Sequence, residues 1–367
     1  MKNSMDSNLF TDIYRVREAL YGENFEASTK SLACEVQENI ARQRAPEKIR
    51  YLLLKTTNRC NSDCEYCSHA VNRIPQELKC DIPFEIIEKT IKEAAEMGVD
   101  AISISGGEPL IRSDIIDIVK KTVDCKIIPV LLTNGLLLEK KWDQLGYAGL
   151  RYIIISIDSV DKEIYEKQRG AKFSQAVAGI DAALKMRDKY GNVEIHVSAV
   201  LTKDNQEDFL RLLKYMNDRK IKVQISPYHK REDDEEDYSI VDRKRIETLI
   251  HQLIQMKQNG YLIANSESFL MHLPDFFCGH KVMPEGFACK VGYTSLAIDT
   301  YMNIKPCWSY LYKPIGNLKE NTLREIWESE KMQSFRNKMM RCECEGCWYL
   351  CTSEVCMMLN TILEESS

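Results

Sequence analysis

YLLLKTTNRCNSDCEYCSHA, residues 51–70, sets an apolar run of strand length directly before three cysteines, Cys60, Cys64 and Cys67, in the spacing C-x3-C-x2-C. Three thiolates on one short loop can hold three irons of a [4Fe–4S] cube. The fourth iron is then left without a protein ligand and can bind and reduce something. A zinc site on one loop is ordinarily closed by four ligands in paired C-x2-C units. Here the loop offers three cysteines, with His69 as a fourth donor nearby. A disulfide framework does not suit a chain of 367 residues without a secretory signal.

Outward from this loop the chain alternates between short apolar runs and helical periods. Strands are predicted at 51–57, 101–105, 127–135, 152–158, 193–201 and 222–228. Helices are predicted at 84–98, within 113–124, and over AVAGIDAALKMRDKYG, EDFLRLLKYMNDRK and RKRIETLIHQLIQMKQNG. Continuous apolar runs between helices read as buried parallel strands. The fold class is therefore α/β, a partial (β/α)6 TIM-like barrel, followed by a small C-terminal cysteine-rich α+β domain. The expected divisions are a helical extension at 1–48, the barrel at 49–240, a linking helix at 241–274 and the cysteine-rich part at 275–367. In such barrels chemistry gathers at the C-terminal ends of the strands, which is where the cysteine loop lies.

Hydrophobic residues make up 44% and charged residues 29%, and the net charge is −5. That balance fits a globular protein and argues against a nucleic-acid partner. No apolar run is long enough for a bilayer, and the N-terminus lacks a signal-peptide core. Fourteen cysteines without a secretory signal point to a reducing, cytoplasmic setting and to metal chemistry.

The cysteine loop, together with SGGEPL (105–110), TNG (133–135) and SID (156–158), resembles the radical S-adenosylmethionine (radical SAM) superfamily over about residues 50–230. Tyr66, the aromatic residue before the third cysteine, belongs to the same pattern. The resemblance implies a cluster on Cys60, Cys64 and Cys67 whose open iron is chelated by the amino and carboxylate groups of S-adenosylmethionine. Gly106 and Gly107 would let the backbone approach a ligand. Glu108 would add a charge-assisted contact to the ammonium group, and Pro109 would stiffen the turn. Ser156 fits the ribose contact, with Asp158 as second choice; Arg169 resembles the arginine that meets the methionyl carboxylate. Asn134 and Ser198 are weaker candidates. The implied chemistry is reductive cleavage to a 5′-deoxyadenosyl radical, which takes hydrogen from a substrate C–H bond. A flavodoxin- or ferredoxin-type donor would supply the electron.

The tail from Cys289 to Cys347 is similar to the SPASM/Twitch extensions of this superfamily, which hold one or two auxiliary [4Fe–4S] clusters. Cys289 and Cys307 would flank a hairpin, and with Cys344 and Cys347 they would close one cluster. Cys351 either replaces one of that pair or joins Cys278, Cys342 and Cys356 at a second site. The two-cluster pattern wants a Gly where Met302 stands. It also wants C-x2-C-x5-C-x3-C where this chain has C-x-C-x2-C-x3-C. Tyr228 and His229, just past the sixth strand, are expected to face the cavity and to touch substrate or move a proton. The substrate reading is a small polar, sugar- or cyclitol-like molecule that is oxidised or rearranged, as by a dehydrogenase. The alternatives are a modified peptide and a non-catalytic iron–sulfur electron carrier.

Overall fold

The computed structural model describes residues 9–21, 25–68, 70, 72–230, 234, 236–279, 288–307, 313–341, 343, 348, 353–357 and 359. Two helices, α1 (Leu9–Tyr21) and α2 (Phe25–Ala41), precede the sheet. Strands β1 (Tyr51–Thr57), β2 (Ala101–Gly106), β3 (Ile128–Thr133), β4 (Tyr152–Ser156), β5 (Glu194–Leu201) and β6 (Lys222–Pro227) then pair in parallel, each beside its predecessor. A parallel neighbour requires a crossover. The crossovers carry α3 (Phe84–Glu96), α4 (Ile115–Asp124), α5 (Leu138–Tyr147), α6 (Lys162–Arg169) with α7 (Phe173–Tyr190), and α8 (Phe209–Asn217). This is the partial barrel expected from the apolar runs. Helices α5 and α6 were not anticipated. Both are short, 10 and 8 residues, and their few apolar residues are scattered among charged ones, LEKKWDQLGY and KEIYEKQR, so there is little run from which to read a helix.

Alternation along the strands builds two cores. Leu52, Leu54, Ile102, Ile104, Leu131, Ile153, Ile155 and Val197 point outward and pack with Ile87, Ile91, Ile118, Leu145, Ile180 and Leu212 of the surrounding helices. Tyr51, Leu53, Ala101, Ile128, Val130, Tyr152 and Ile154 point inward and pack with Ile13 and Val16 of α1 and Leu32 and Val36 of α2. The N-terminal helices thus fill the barrel at the N-terminal ends of its strands. Each of the Val, Leu and Ile side chains among them contributes about 1.5–3 kcal/mol when fully buried. Arg17 Nη1 donates to the carbonyls of Asp100 and Lys126, tying α1 to the turns that enter β2 and β3. Nearer the C-terminal strand ends, the same inward positions are Lys55, Ser105, Leu132, Ser156, Ser198 and Ser226, all only half-buried. The barrel is therefore packed at its floor and open above.

Beyond β6 come α9 (Arg243–Gln258), α10 (Glu267–Met271) and α11 (Leu273–Phe277). Asn265 accepts from the amide of Ile225 at 2.7 Å and donates to its carbonyl at 2.9 Å, satisfying the exposed edge of β6 as a strand would. The hairpin expected between Cys289 and Cys307 is β7 (Ser295–Ile298) and β8 (Asn303–Lys305), followed by β9 (Gly316–Asn317). It continues the barrel's own sheet: β7 lies parallel to β1, in the order β6-β5-β4-β3-β2-β1-β7-β8-β9. Helices α12 (Leu323–Trp327) and α13 (Glu330–Met340) fold back on this edge, where Trp327 Nε1 donates to the carbonyl of Pro46 at 2.7 Å. No helix among the described residues is long and apolar enough to cross a membrane.

Candidate active site

The cysteine loop starts where β1 ends and is pinned on both sides. Asn58 exchanges hydrogen bonds with Cys80, and its side-chain amide donates to the carbonyl of Leu78. Thr57 and Arg59 both hold the Asp81 carboxylate. On the far side, Ser62 Oγ donates to the carbonyl of Arg169, and the amide of Glu65 donates to the carbonyl of Gln168. Cys64 is buried, and Cys60 and Cys67 are half-buried. Burial pushes the Cys60 thiol up to about 12, and the neighbouring charges of Cys64, Glu108 and Cys67 act in the same sense. Three sulfurs near enough to feel one another, on one rigid loop, are a donor set suited to an iron–sulfur cube.

Gly106 and Gly107 serve the loop's stem. Gly106 has φ +139°, and a Cβ there would sit 2.1 Å from the carbonyl oxygen of Thr57; at Gly107 it would sit 2.2 Å from that of Arg59. Their absent side chains let Gly107 donate to Thr57 and Glu108 to Arg59, locking the end of β2 onto the cysteine loop. Glu108 is fully buried, and burial raises its carboxyl to about 7. Its oxygens accept from the amide of Leu110, the hydroxyl of Thr133 and the amide of Asn134. Both are therefore engaged across β2 and β3, and the main chain is left to meet any ligand ammonium group. Pro109 opens the short turn that follows, and Asn134 donates to Asn61 of the cysteine loop at 2.8 Å.

Ser156 and Ser198 are register partners on β4 and β5, facing the open chamber. Asp158 lies deeper. It is fully buried and grips the Arg169 guanidinium with both oxygens, one at 2.6 Å, while accepting from the amide of Val200 at 2.7 Å and from the Tyr66 hydroxyl. Asp158 is thus a clasp with no oxygen to spare for a ribose. Arg169 is committed to it through Nε and Nη2, leaving Nη1 4.0 Å from Cys64 Sγ. Tyr66 packs edge-on against Tyr228 and Tyr238. Tyr228 is buried in that cluster and donates to Asp234 at 2.6 Å. His229 donates from Nδ1 to the carbonyl of Pro227 and accepts at Nε2 from the amide of Trp348. Both residues expected to face substrate also tie the wall together, through Asp234 and Trp348.

A second sulfur cluster lies at the β7 edge. Cys289, Cys307 and Cys356 are all buried. The Cys356 thiol is lowered by its hydrogen bond with Cys289, and the amide of Lys290 donates to its sulfur at 3.0 Å. Cys307 acts on the ionisation of Cys289. Cys344, Cys347 and Cys351 lie outside the described residues. Cys278 stands apart, beside the carbonyl of Val241 and Arg243. The sequence pattern grouped Cys356 with Cys278 and Cys342 at a second site; the fold places it against Cys289 instead.

Residues 54–216 match the model of the Radical SAM superfamily, and residues 289–348 match SPASM, an iron-sulfur cluster-binding domain. The first domain takes a [4Fe–4S] cluster with S-adenosylmethionine, and the second takes auxiliary iron–sulfur clusters. The GTP 3',8-cyclase of Alkaliphilus metalliredigens is 34% identical over 167 residues, 45% of this chain and 52% of that protein. The GTP 3',8-cyclase of Staphylococcus aureus is 32% identical over 192 residues, 48% of this chain and 53% of that protein. The chain thus spans about half the length of the curated relatives it matches. Streptococcus suis SuiB bound to S-adenosylmethionine has a TM-score of 0.65 at 20% identity, over 92% of this chain and 83% of that one. Native anSMEcpe with bound AdoMet has a TM-score of 0.61 at 20% identity, over 82% and 87%. At such identities the likeness is one of fold.

Proposed function

We propose that this chain, which belongs to the radical SAM superfamily and carries a SPASM domain after its radical SAM domain, is an enzyme that cleaves S-adenosylmethionine reductively and takes hydrogen from a C–H bond of a small polar substrate. One observation carries this: the three-thiol loop stands at the open end of a barrel whose inner wall above the packed floor presents Lys55, Ser105, Ser156, Ser198 and Ser226. Cys60, Cys64 and Cys67 would hold three irons. When bound, the cluster and S-adenosylmethionine supply the hydrogen-abstracting radical. The chain's own part is position and shelter. The main chain at Gly106 and Gly107 receives the ammonium group, Ser156 the ribose, and the Asp158–Arg169 clasp sets the wall against which Cys64 packs. Helices α1 and α2 keep water out from below.

Cys289, Cys307 and Cys356, with one of Cys344, Cys347 and Cys351, would close an auxiliary cluster. A hydroxyl-lined chamber suits a small molecule rich in hydroxyls. The curated relatives, which share the barrel half, are named for a reaction of GTP, itself small and polar. No disulfide joins the described cysteines. The test is anaerobic reconstitution followed by reduction. Wild type should release 5′-deoxyadenosine from S-adenosylmethionine, and Ala at Cys60, Cys64 or Cys67 should abolish that release. Undiminished cleavage in all three variants would sink the proposal.

A further inference from the structure

Lys290 follows Cys289 directly in the chain, and only 6% of it is exposed. Its amide donates to Cys356 Sγ at 3.0 Å. The amide of Val291 acts on the sulfurs of Cys289 and Cys356 alike. Lysine is seldom buried unless negative charge stands near it. Sulfurs that ligate iron supply such charge. After the hydrogen bond with Cys289, the Lys290 amide and ammonium both bear on Cys356 in favour of the thiolate.

The loop of Cys60, Cys64 and Cys67 is set differently. Arg169 is the cation that bears most on Cys64, but Asp158 grips its Nε and Nη2, so the pair brings no net charge. Glu108 bears on Cys60 in the opposite sense to Lys290 at the tail. Among the described residues, no carboxylate is prominent around Cys289 or Cys356. A nearby positive charge and N–H donors to sulfur both favour the reduced state of an iron–sulfur site.

We propose that Lys290 sets the potential of the Cys289–Cys307–Cys356 site, so that this site holds an electron more readily than the Cys60–Cys64–Cys67 loop. Both thiol sets are taken as iron–sulfur ligands, the reading on which this rests. Lys290 ligates nothing. Its ammonium acts through the Cys356 sulfur and answers the charge that reduction adds. That charge is one electron, supplied in the test by dithionite, and no bond forms or breaks. Such an order of potentials suits a tail site that withdraws an electron from the chamber, not one that feeds the loop.

The test is a dithionite titration of the reconstituted holoprotein, read by electron paramagnetic resonance against mediator dyes. The signal that S-adenosylmethionine alters belongs to the loop with the open iron; the signal it leaves unchanged belongs to the tail. In wild type the tail signal should appear at the higher potential. At a fixed poise, Lys290→Met should cut the reduced-to-oxidised ratio of the tail site about tenfold, or about 59 mV for one electron. The loop signal should stay where it was. Lys290→Arg, which keeps the charge, should keep the wild-type ratio. A tail ratio untouched in Lys290→Met overturns the proposal. So does an equal shift in Lys290→Met and Lys290→Arg, which would trace the effect to shape and not to charge. A wild-type loop reduced before the tail overturns it too. Lys290→Gln reads the same ratio should the Met protein not load its tail iron, and loss of that iron in both would make the lysine part of assembly and overturn the assignment. Wild type that binds only about four irons per chain would instead bring down the ligand reading beneath it.

Discussion

Glu108 accepts three hydrogen bonds in a site closed to water, two of them from main-chain amides. Glutamine there keeps the shape but can offer one oxygen only, so its amide nitrogen must face a donor. A buried donor left unpaired costs about 1–3 kcal/mol. Glu108→Gln should therefore lower the unfolding free energy by that amount in urea titrations of the metal-free protein; equal stability would mean the clasp is idle. The auxiliary site gives a second residue-level prediction. Cys356→Ser should cut the iron bound after reconstitution from about eight to about four per chain, while Cys278→Ser leaves it near eight. Full loading of the Cys356 variant would remove that residue from the ligand set. The contrast shows what spacing conveys. Cys60, Cys64 and Cys67 lie on one loop, so their proximity is written in the chain. Cys356 meets Cys289 only because a hairpin and two helices fold between them, and no local pattern records that. The same limit applies to Tyr228 and His229. Position at a strand end fixes where a residue starts, but neighbours such as Asp234 and Trp348 decide where its polar atoms go.

At the scale of elements, the strands were legible because apolar runs bounded by turns leave little choice, whereas α5 and α6 are short and mostly charged. The role of α1 was hidden as well. Asp12, on this helix, enters the barrel floor and accepts from Lys222 at 2.7 Å. His196 Nε2 lies 3.2 Å from Asp12 and 3.0 Å from Glu194, which also meets Lys222. Gln224 and the Tyr152 hydroxyl complete the surroundings of the ring. Burial alone would lower the His196 pKa, but the hydrogen bonds and charges of Asp12 and Glu194 outweigh it and raise it above 6.5. A histidine whose folded pKa is raised binds its proton more tightly in the native state. Its contribution is fully present below the unfolded pKa and is lost as pH rises through the folded one. Unfolding free energy should thus decline as pH climbs from about 6.5, and Asp12→Asn, which removes one counter-charge, should flatten that decline. Parallel pH profiles for the two proteins, followed by denaturant titration, would count against the latch.

Across the whole molecule, the boundaries suggested by composition are crossed by structure. Its C-terminal hairpin extends the barrel's sheet beside β1, and the N-terminal helices fill its interior. The tail then ties one side of the open barrel to the other. Near β6, Trp348 stacks on Phe269, donates through its ring nitrogen to the Phe269 carbonyl and holds His229, while Glu354 accepts from the amide of Ser266. Val355 and Leu359 join the inward core with α1 and α2, and Cys356 reaches Cys289 beside β7. A partial barrel leaves a gap between its first and last strands; the described residues of this tail stand on both sides of it, with an aromatic anchor at one end and the Cys356–Cys289 pair at the other. The two ends should therefore be coupled. Trp348→Ala removes a buried aromatic worth about 3–5 kcal/mol. It should speed hydrogen exchange at residues 353–357 and in α10, and it should lower auxiliary iron although it touches no cysteine ligand. Reconstituting the auxiliary cluster in wild type should slow exchange at α10, on the opposite side of the gap. Protection of α10 that ignores both changes would show that the anchors act independently and that the tail does not close the barrel.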